Sequence, residues 1–167
     1  METVRTKKVK IGDKVTTIEL TNEELRTIQR EADICKLNGW NFKKMLERLP
    51  MWTARHWPDV AAEWWMKSDP QVVVGMGATE ILYSDSRAKT IVEVKSPREI
   101  VVAENETKCI DYYAGTYEIL PAIADYMSKE TFTLRKNGTW VAKGQPKKAG
   151  SVILIVGFRY HYIDPSF

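Results

Sequence analysis

The chain has 167 residues, of which 44% are hydrophobic and 28% charged, with a net charge of +3. Those proportions fit a globular protein with one sizeable core, or a small appendage beside a domain of about 100 residues. They exclude a protein built on membrane helices, because no apolar run approaches the ~20 residues such a span needs; the longest, Val152 to Gly157, reads as a strand.

The first predicted element is a hairpin, in which VRTKKVKI and KVTTIEL flank Gly12-Asp13, a pair suited to a tight two-residue turn. A helix start follows. Thr21 as cap, Glu24 as its reciprocal partner, and Leu20 with Leu25 as a hydrophobic staple all mark the same position. Leu25, Ile28, Ala32 and Cys35 then share one stripe, which should end near Gly39. Asn41 caps a second short helix, with Phe42, Met45, Leu46 and Leu49 at helical spacing up to Pro50. A third begins at Trp57-Pro58, with Asp59 at the favourable dipole end, and runs to about Lys67. Residues 1–70 thus read as a hairpin and helical region. Five of the six tryptophans lie in it, at positions 40, 52, 57, 64 and 65. Most of these rings serve to fill a small core. Trp64 and Trp65 are adjacent and cannot point the same way on a helix, so one of them is expected to be partly exposed and able to anchor a partner.

After Ser68-Asp69-Pro70 the pattern changes to short β-branched runs: QVVVGM, TEILYS, AKTIVEV, REIVVA, TKCIDY, TFTLRK, TWVAKG and SVILIVGF. Asn137-Gly138 between two of them is the strongest hairpin signal in the chain. Residues 120–130 read as an insertion holding one or two helical turns. The predicted class is therefore α+β: an N-terminal β-hairpin with short helices over 1–70, then a small antiparallel β-barrel or sandwich over 71–167.

No constellation for catalysis is found. Gly75-x-Gly77 lacks the third glycine and following helix of a dinucleotide site, so it reads as a bend or bulge before a strand. Cys35, His56, Cys109 and His161 have no close-spaced ligand pairs of the kind structural zinc requires. The two cysteines are expected as buried thiols rather than a disulfide. No enzyme activity, cofactor or metal is expected. The opening METVRTKKVK has no apolar signal segment, which makes cytoplasmic residence the expectation.

Binding remains. From Thr131 to Ile163 the chain carries Arg135, Lys136, Lys143, Lys147, Lys148 and Arg159 and no acid; the first strand adds Arg5, Lys7, Lys8, Lys10 and Lys14. These form either one patch for an anionic partner or two solvated faces with lysines guarding sheet edges. Ser84 to Lys89 reads as a turn from which Arg87 and Lys89 project. At the C-terminus Phe158, Tyr160 and Tyr162 share one face of an expected strand, with Arg159 and His161 on the other. That aromatic face is either core or a stacking platform.

Three separated stretches, GATEILYSDSRAKTIVEV, FTLRKNGTWV and the closing YHYIDPSF, resemble a group of proteins of tailed bacteriophages and prophages. The resemblance covers about Gly75 to Phe167 and departs at AENETKCID, where the shared pattern has an Asp-x-Ala-Thr-Arg turn. The opening VKIGDKVTTIELTNEEL is similar to the hairpin-helix that begins many small phage accessory proteins. What this resemblance implies is an origin. Such a protein in a bacterial host is expected to inhibit by occupying a defence protein or ribonucleoprotein complex, in the manner of an anti-CRISPR, with Trp64 or Trp65 as anchor. A second reading is a nucleic-acid-binding barrel, with Arg87, Lys89, Arg135, Lys136, Lys143 and Arg159 on phosphates and Trp140 or Tyr160 stacking bases. A third is a pocket that sequesters a signalling nucleotide, its phosphates near Gly75–Thr79.

Overall fold

The computed structural model describes residues 3–124, 128–146 and 152–166. Lys147, Lys148, Phe167 and residues 125–127 of the expected insertion lie outside the described residues. The fold is α+β, as expected. Two compact units form: Met1–Lys36 with Trp40–Asp69, and Leu37–Gly39 with Pro70–Phe167. The break near residue 70 has a counterpart in the sequence pattern; the three residues contributed to the second unit from the end of the first helix do not.

In the first unit, β1 (Thr3–Ile11) and β2 (Lys14–Thr21) pair antiparallel from Ile11↔Lys14 across the Gly12-Asp13 turn. One face of this ribbon carries Leu20, Ile18 and Val9 into the helical core. Helix α1 (Asn22–Leu37) starts on the capping box read from the sequence. The Thr21 N–H donates to Glu24 Oε2 at 2.9 Å, and the Glu24 N–H donates to Thr21 Oγ1 at 3.2 Å. Its stripe of Ile28, Ala32 and Cys35 is fully buried. Burial pushes the Cys35 thiol up to about 11, so this cysteine behaves as a small apolar side chain. Cys109, by contrast, is an exposed free thiol, contrary to expectation, because it lies on the solvated half of a long strand.

Helix α2 (Phe42–Arg48) is capped by the Asn41 side chain, which accepts from the Lys44 N–H at 2.9 Å. A further helix, α3 (Met51–His56), follows at once. The sequence reading missed it because Pro50 was taken only as a terminator; here the same proline sits at the cap of α3, where its missing N–H is harmless. Helix α4 (Pro58–Lys67) starts where predicted.

In the second unit, seven strands form a closed antiparallel barrel with an extension: β3 (Gly77–Ile81), β4 (Ser86–Ser96), β5 (Glu99–Asp111), β6 (Thr116–Ile123), β7 (Glu130–Leu134), β8 (Trp140–Ala142) and β9 (Ile153–Val156). The strand order β4-β3-β9-β8-β7-β5 closes through β4–β5 pairing, which leaves no open edge in that ring. The REIVVA and TKCIDY runs are one strand, β5. Its first half belongs to the barrel, and its second half pairs with β6. Residues 120–123 belong to β6 rather than to a helical insertion, and QVVVGM is not a strand. The β7–β8 hairpin turns on Lys136-Asn137-Gly138. Gly138 has φ +78°, its N–H donates to Arg135 O, and the Arg135 N–H donates to Thr139 O, the pattern of a three-residue loop with glycine in the left-handed position.

The barrel interior packs Ala78, Ile91, Ile100, Val102, Phe132, Trp140, Leu154 and Val156. Leu37 joins this core, and its carbonyl accepts a 3.0 Å hydrogen bond from Trp140 Nε1. Asn38 completes the wall. Strand β8 pairs with β9 only as far as Trp140↔Leu154, leaving the backbone of Val156 without a partner on that side. The Asn38 amide replaces the missing strand: its Nδ2 donates to Val156 O at 2.8 Å, and its Oδ1 accepts from the Val156 N–H at 2.9 Å.

Candidate functional site

Each unit presents one surface whose composition asks for an explanation. In the helical unit, the expected anchors Trp64 and Trp65 are only partly exposed and pack against the core. Lys67 lies 4.9 Å above the first ring and Lys36 lies 4.4 Å above the second. On α4 the exposed apolar side chain is instead Met66, at 81%, and an exposed pair lies on α3. Met51 is 86% exposed and Trp52 is 48% exposed, with the Trp52 ring 4.0 Å from His56. Met51 borders a groove of about 580 Å³ lined by Leu46, Leu49 and Ala54, with Glu47 and Arg55 as its charged residues. The unpredicted helix α3 thus carries an exposed apolar pair, where the sequence reading had looked only to α4.

In the barrel, the expected cationic patch is largely taken up by the fold. Lys89 is 2% exposed and forms a 3.0 Å ion pair with Glu80 inside the barrel. It cannot reach a phosphate. Trp140 is 1% exposed and is core, so it cannot stack a base. Lys143 pairs with Glu99 at 2.8 Å and holds that carboxyl below its usual range. Arg87 lies 4.0 Å from Glu104, and Arg135 donates to Gln145 O. Lys136, at the hairpin tip, is exposed with no ion pair among the described residues. Arg159 and Tyr160 are exposed; Tyr160 follows the end of β9, because the chain leaves the strand after Val156 and the expected alternation through Tyr162 does not continue.

The charged interior was not anticipated. Ala78 and Glu80, Ile91 and Lys89, Val102 and Glu104, and Phe132 and Glu130 are each two residues apart on their strands. Alternation therefore gathers these charged side chains at one end of the barrel, with Glu80 and Lys89 buried, Glu104 half-buried and Glu130 exposed. Burial, and then the Glu80 carboxylate, push Glu130 above the usual carboxylate range. Among the described residues no group of three His, Cys, Asp or Glu side chains is arranged to hold a metal, and no helix is long and apolar enough to cross a membrane.

The turn at Ser84 to Lys89 receives the C-terminal segment. Asp85 Oδ1 accepts from the Asp164 N–H at 2.9 Å, Ser86 bridges Tyr162, and His161 Nδ1 accepts from the Ala88 N–H at 3.3 Å. The turn after β3 and the C-terminal segment thus touch each other. His161 must be neutral to accept that bond, and burial lowers its pKa; Glu104 and Asp85 oppose the shift and Arg87 adds to it. The stability it contributes is complete above the ordinary value of 6.5 and declines as pH falls through the lowered value. The expected result is an Ala88 amide whose hydrogen-exchange protection drops between neutral pH and about pH 5, while the protection of Val102 does not. An unchanged Ala88 protection factor across that range would contradict the assignment.

No protein-family model, curated protein or solved structure matches the chain.

A second surface groove, of about 440 Å³, lies on the barrel unit between Arg159 and the β6 segment 119–121. Arg159 Nη2 donates to Gly75 O at 2.9 Å and to Thr90 Oγ1 at 3.1 Å, and its Nε donates to Thr90 Oγ1 at 3.2 Å. The sequence had marked Gly75, Gly77 and Arg159 separately. Thr90 lies in the SDSRAKTI stretch and Asn105 at the AENETKCID departure, but the sequence alone singles out neither as a site residue; their contacts connect the groove to β6.

Proposed function

We propose that the protein acts without catalysis, by docking on another protein through the α2–α3 face of its helical unit. The observation behind this reading is the exposed Met51 at the rim of an apolar groove, with the half-exposed Trp52 next to it in the chain. Methionine and tryptophan are enriched where interfaces bury their centres, and a folded chain gains nothing by presenting both to water. Glu47 and Arg55 supply the polar rim that such a surface needs to select a partner. The resemblance to phage and prophage proteins supports a partner class: a bacterial defence complex, such as a CRISPR effector, blocked by occupancy. The anchor is Trp52 in place of Trp64 or Trp65.

The test pairs function with stability. Met51→Ser combined with Trp52→Ala should abolish co-purification with the effector and restore CRISPR interference in cells expressing the protein. Surface substitutions of this kind shift stability by only about 0.5 kcal/mol, so the melting temperature should hold. A doubly substituted chain that still binds and inhibits would remove the α2–α3 face from the account. A wild-type chain that does neither would remove the partner class.

A further inference from the structure

We infer that the groove beneath Arg159 is a binding site for a small organic phosphate with a flat apolar body, the chemistry of a nucleotide. The site is separate from the helical docking face and does not depend on that reading. It begins with an arginine whose charge is fixed but not neutralised. The acceptors of Arg159 are neutral oxygens, those of Gly75 and Thr90, and no carboxylate lies within ion-pair distance of it among the described residues. Among the described residues its Nη1 makes no hydrogen bond. A guanidinium held in this way offers its free edge to an incoming anion at little further ordering cost.

The backbone makes room for that arginine. A Cβ at Gly77 would stand 2.8 Å from Arg159 Cγ, so any other residue there would displace the side chain from its place over the strand. The opposite wall is made by a strand irregularity. Pairing of β5 with β6 jumps from Asn105↔Ile123 to Thr107↔Ile119, so β6 bows outward and presents Ile119, Leu120 and Pro121 to the groove. Bulges of this type often occur beside binding sites, where they re-aim side chains.

Asn105 ties the two walls together. It is 2% exposed; its Nδ2 donates to Leu120 O at 3.0 Å and its Oδ1 accepts from Thr90 Oγ1 at 2.8 Å. Arginine, threonine, asparagine and the bowed strand thus form one continuous hydrogen-bonded chain, set before any ligand arrives. The volume of about 440 Å³ falls within the range of small-molecule sites. A phosphate would meet the guanidinium, and a planar base would lie along the Leu120–Pro121 wall.

Calorimetric titration of the full chain with AMP, ADP, inorganic phosphate and adenosine tests this. AMP or ADP should bind saturably, about tenfold or more tighter than inorganic phosphate or adenosine alone, because the site uses both parts. Arg159→Gln should weaken nucleotide binding at least about tenfold, and Arg159→Lys should retain part of it. Since Arg159→Gln also loosens the C-terminal segment, a second variant is needed. Pro121→Trp, on the exposed rim, fills the groove without touching the hydrogen-bonded chain; it should abolish binding at unchanged melting temperature. No saturable heat from any of the four ligands would overturn the inference. So would nucleotide binding that survives both Arg159→Gln and Pro121→Trp, and inorganic phosphate binding as tightly as AMP would overturn the nucleotide assignment.

Discussion

Replacing Lys89 with Met should destabilise the barrel by about 3–5 kcal/mol, the cost of leaving a buried carboxylate without its counter-ion. Glu80, its partner at 3.0 Å, is itself buried, and Glu130 and Glu104 lie close enough to influence one another. Removing the lysine would leave three carboxylates at one end of the barrel with only the half-exposed Arg87 nearby. The loss should be read as a fall in denaturant midpoint at constant slope. The companion experiment replaces both partners, Glu80→Leu with Lys89→Met, and should recover most of the lost stability, because an apolar pair of similar volume avoids the desolvation cost of two charges. A Lys89→Met chain as stable as wild type would mean that the Glu80–Lys89 pair is not sequestered as described.

The second large effect is expected where residues 37–39 complete the barrel. Asn38→Ala would orphan both the N–H and the C=O of Val156, at about 1–3 kcal/mol for each unsatisfied group. Gly138→Ala attacks the same place from the hairpin. A Cβ there would stand 2.4 Å from the carbonyl oxygen of Gly39, a backbone atom that cannot rotate away, and φ +78° adds the usual left-handed penalty of about 1–2 kcal/mol. Both variants should lower the unfolding midpoint. Lys136→Ala, two residues from Gly138 and exposed, should leave it unchanged. If Asn38→Ala proved neutral, the amide would not be substituting for a strand.

What was legible in the sequence was local. The capping box at Thr21 and Glu24, the Asn41 cap, the Gly12-Asp13 turn and the Asn137-Gly138 hairpin each depend on residues close in sequence, and each formed. The pairing partners of strands were not legible, and the misread segments follow from that. Residues 120–123 contain a proline and little alternation, so only their ladder with β5 identifies them as strand. Lys89 read as a projecting surface charge because period 2 assigns a face but does not say which face is inside. Asn38 follows a helix and gave no sign that it completes a barrel 118 positions away. The candidate sites were visible in fragments for the same reason: Arg159, Gly75 and the SDSRAKT stretch with Thr90 stood out separately, and the contacts that join them to Asn105 are made only by folding.

The most direct test of the central claim, that most of the barrel's expected cationic patch is used within the fold and that macromolecular binding runs through the helical unit, is a titration with labelled single- and double-stranded DNA and RNA across a salt series. Each phosphate contact adds about −0.7 to −0.9 to the slope of log affinity against log salt. With Lys89 buried, Lys143 paired with Glu99 and Arg87 held near Glu104, the account predicts weak binding and a slope no steeper than about −2. Saturable binding at physiological salt with a slope of about −3 or steeper would contradict it and make the protein a nucleic-acid-binding module.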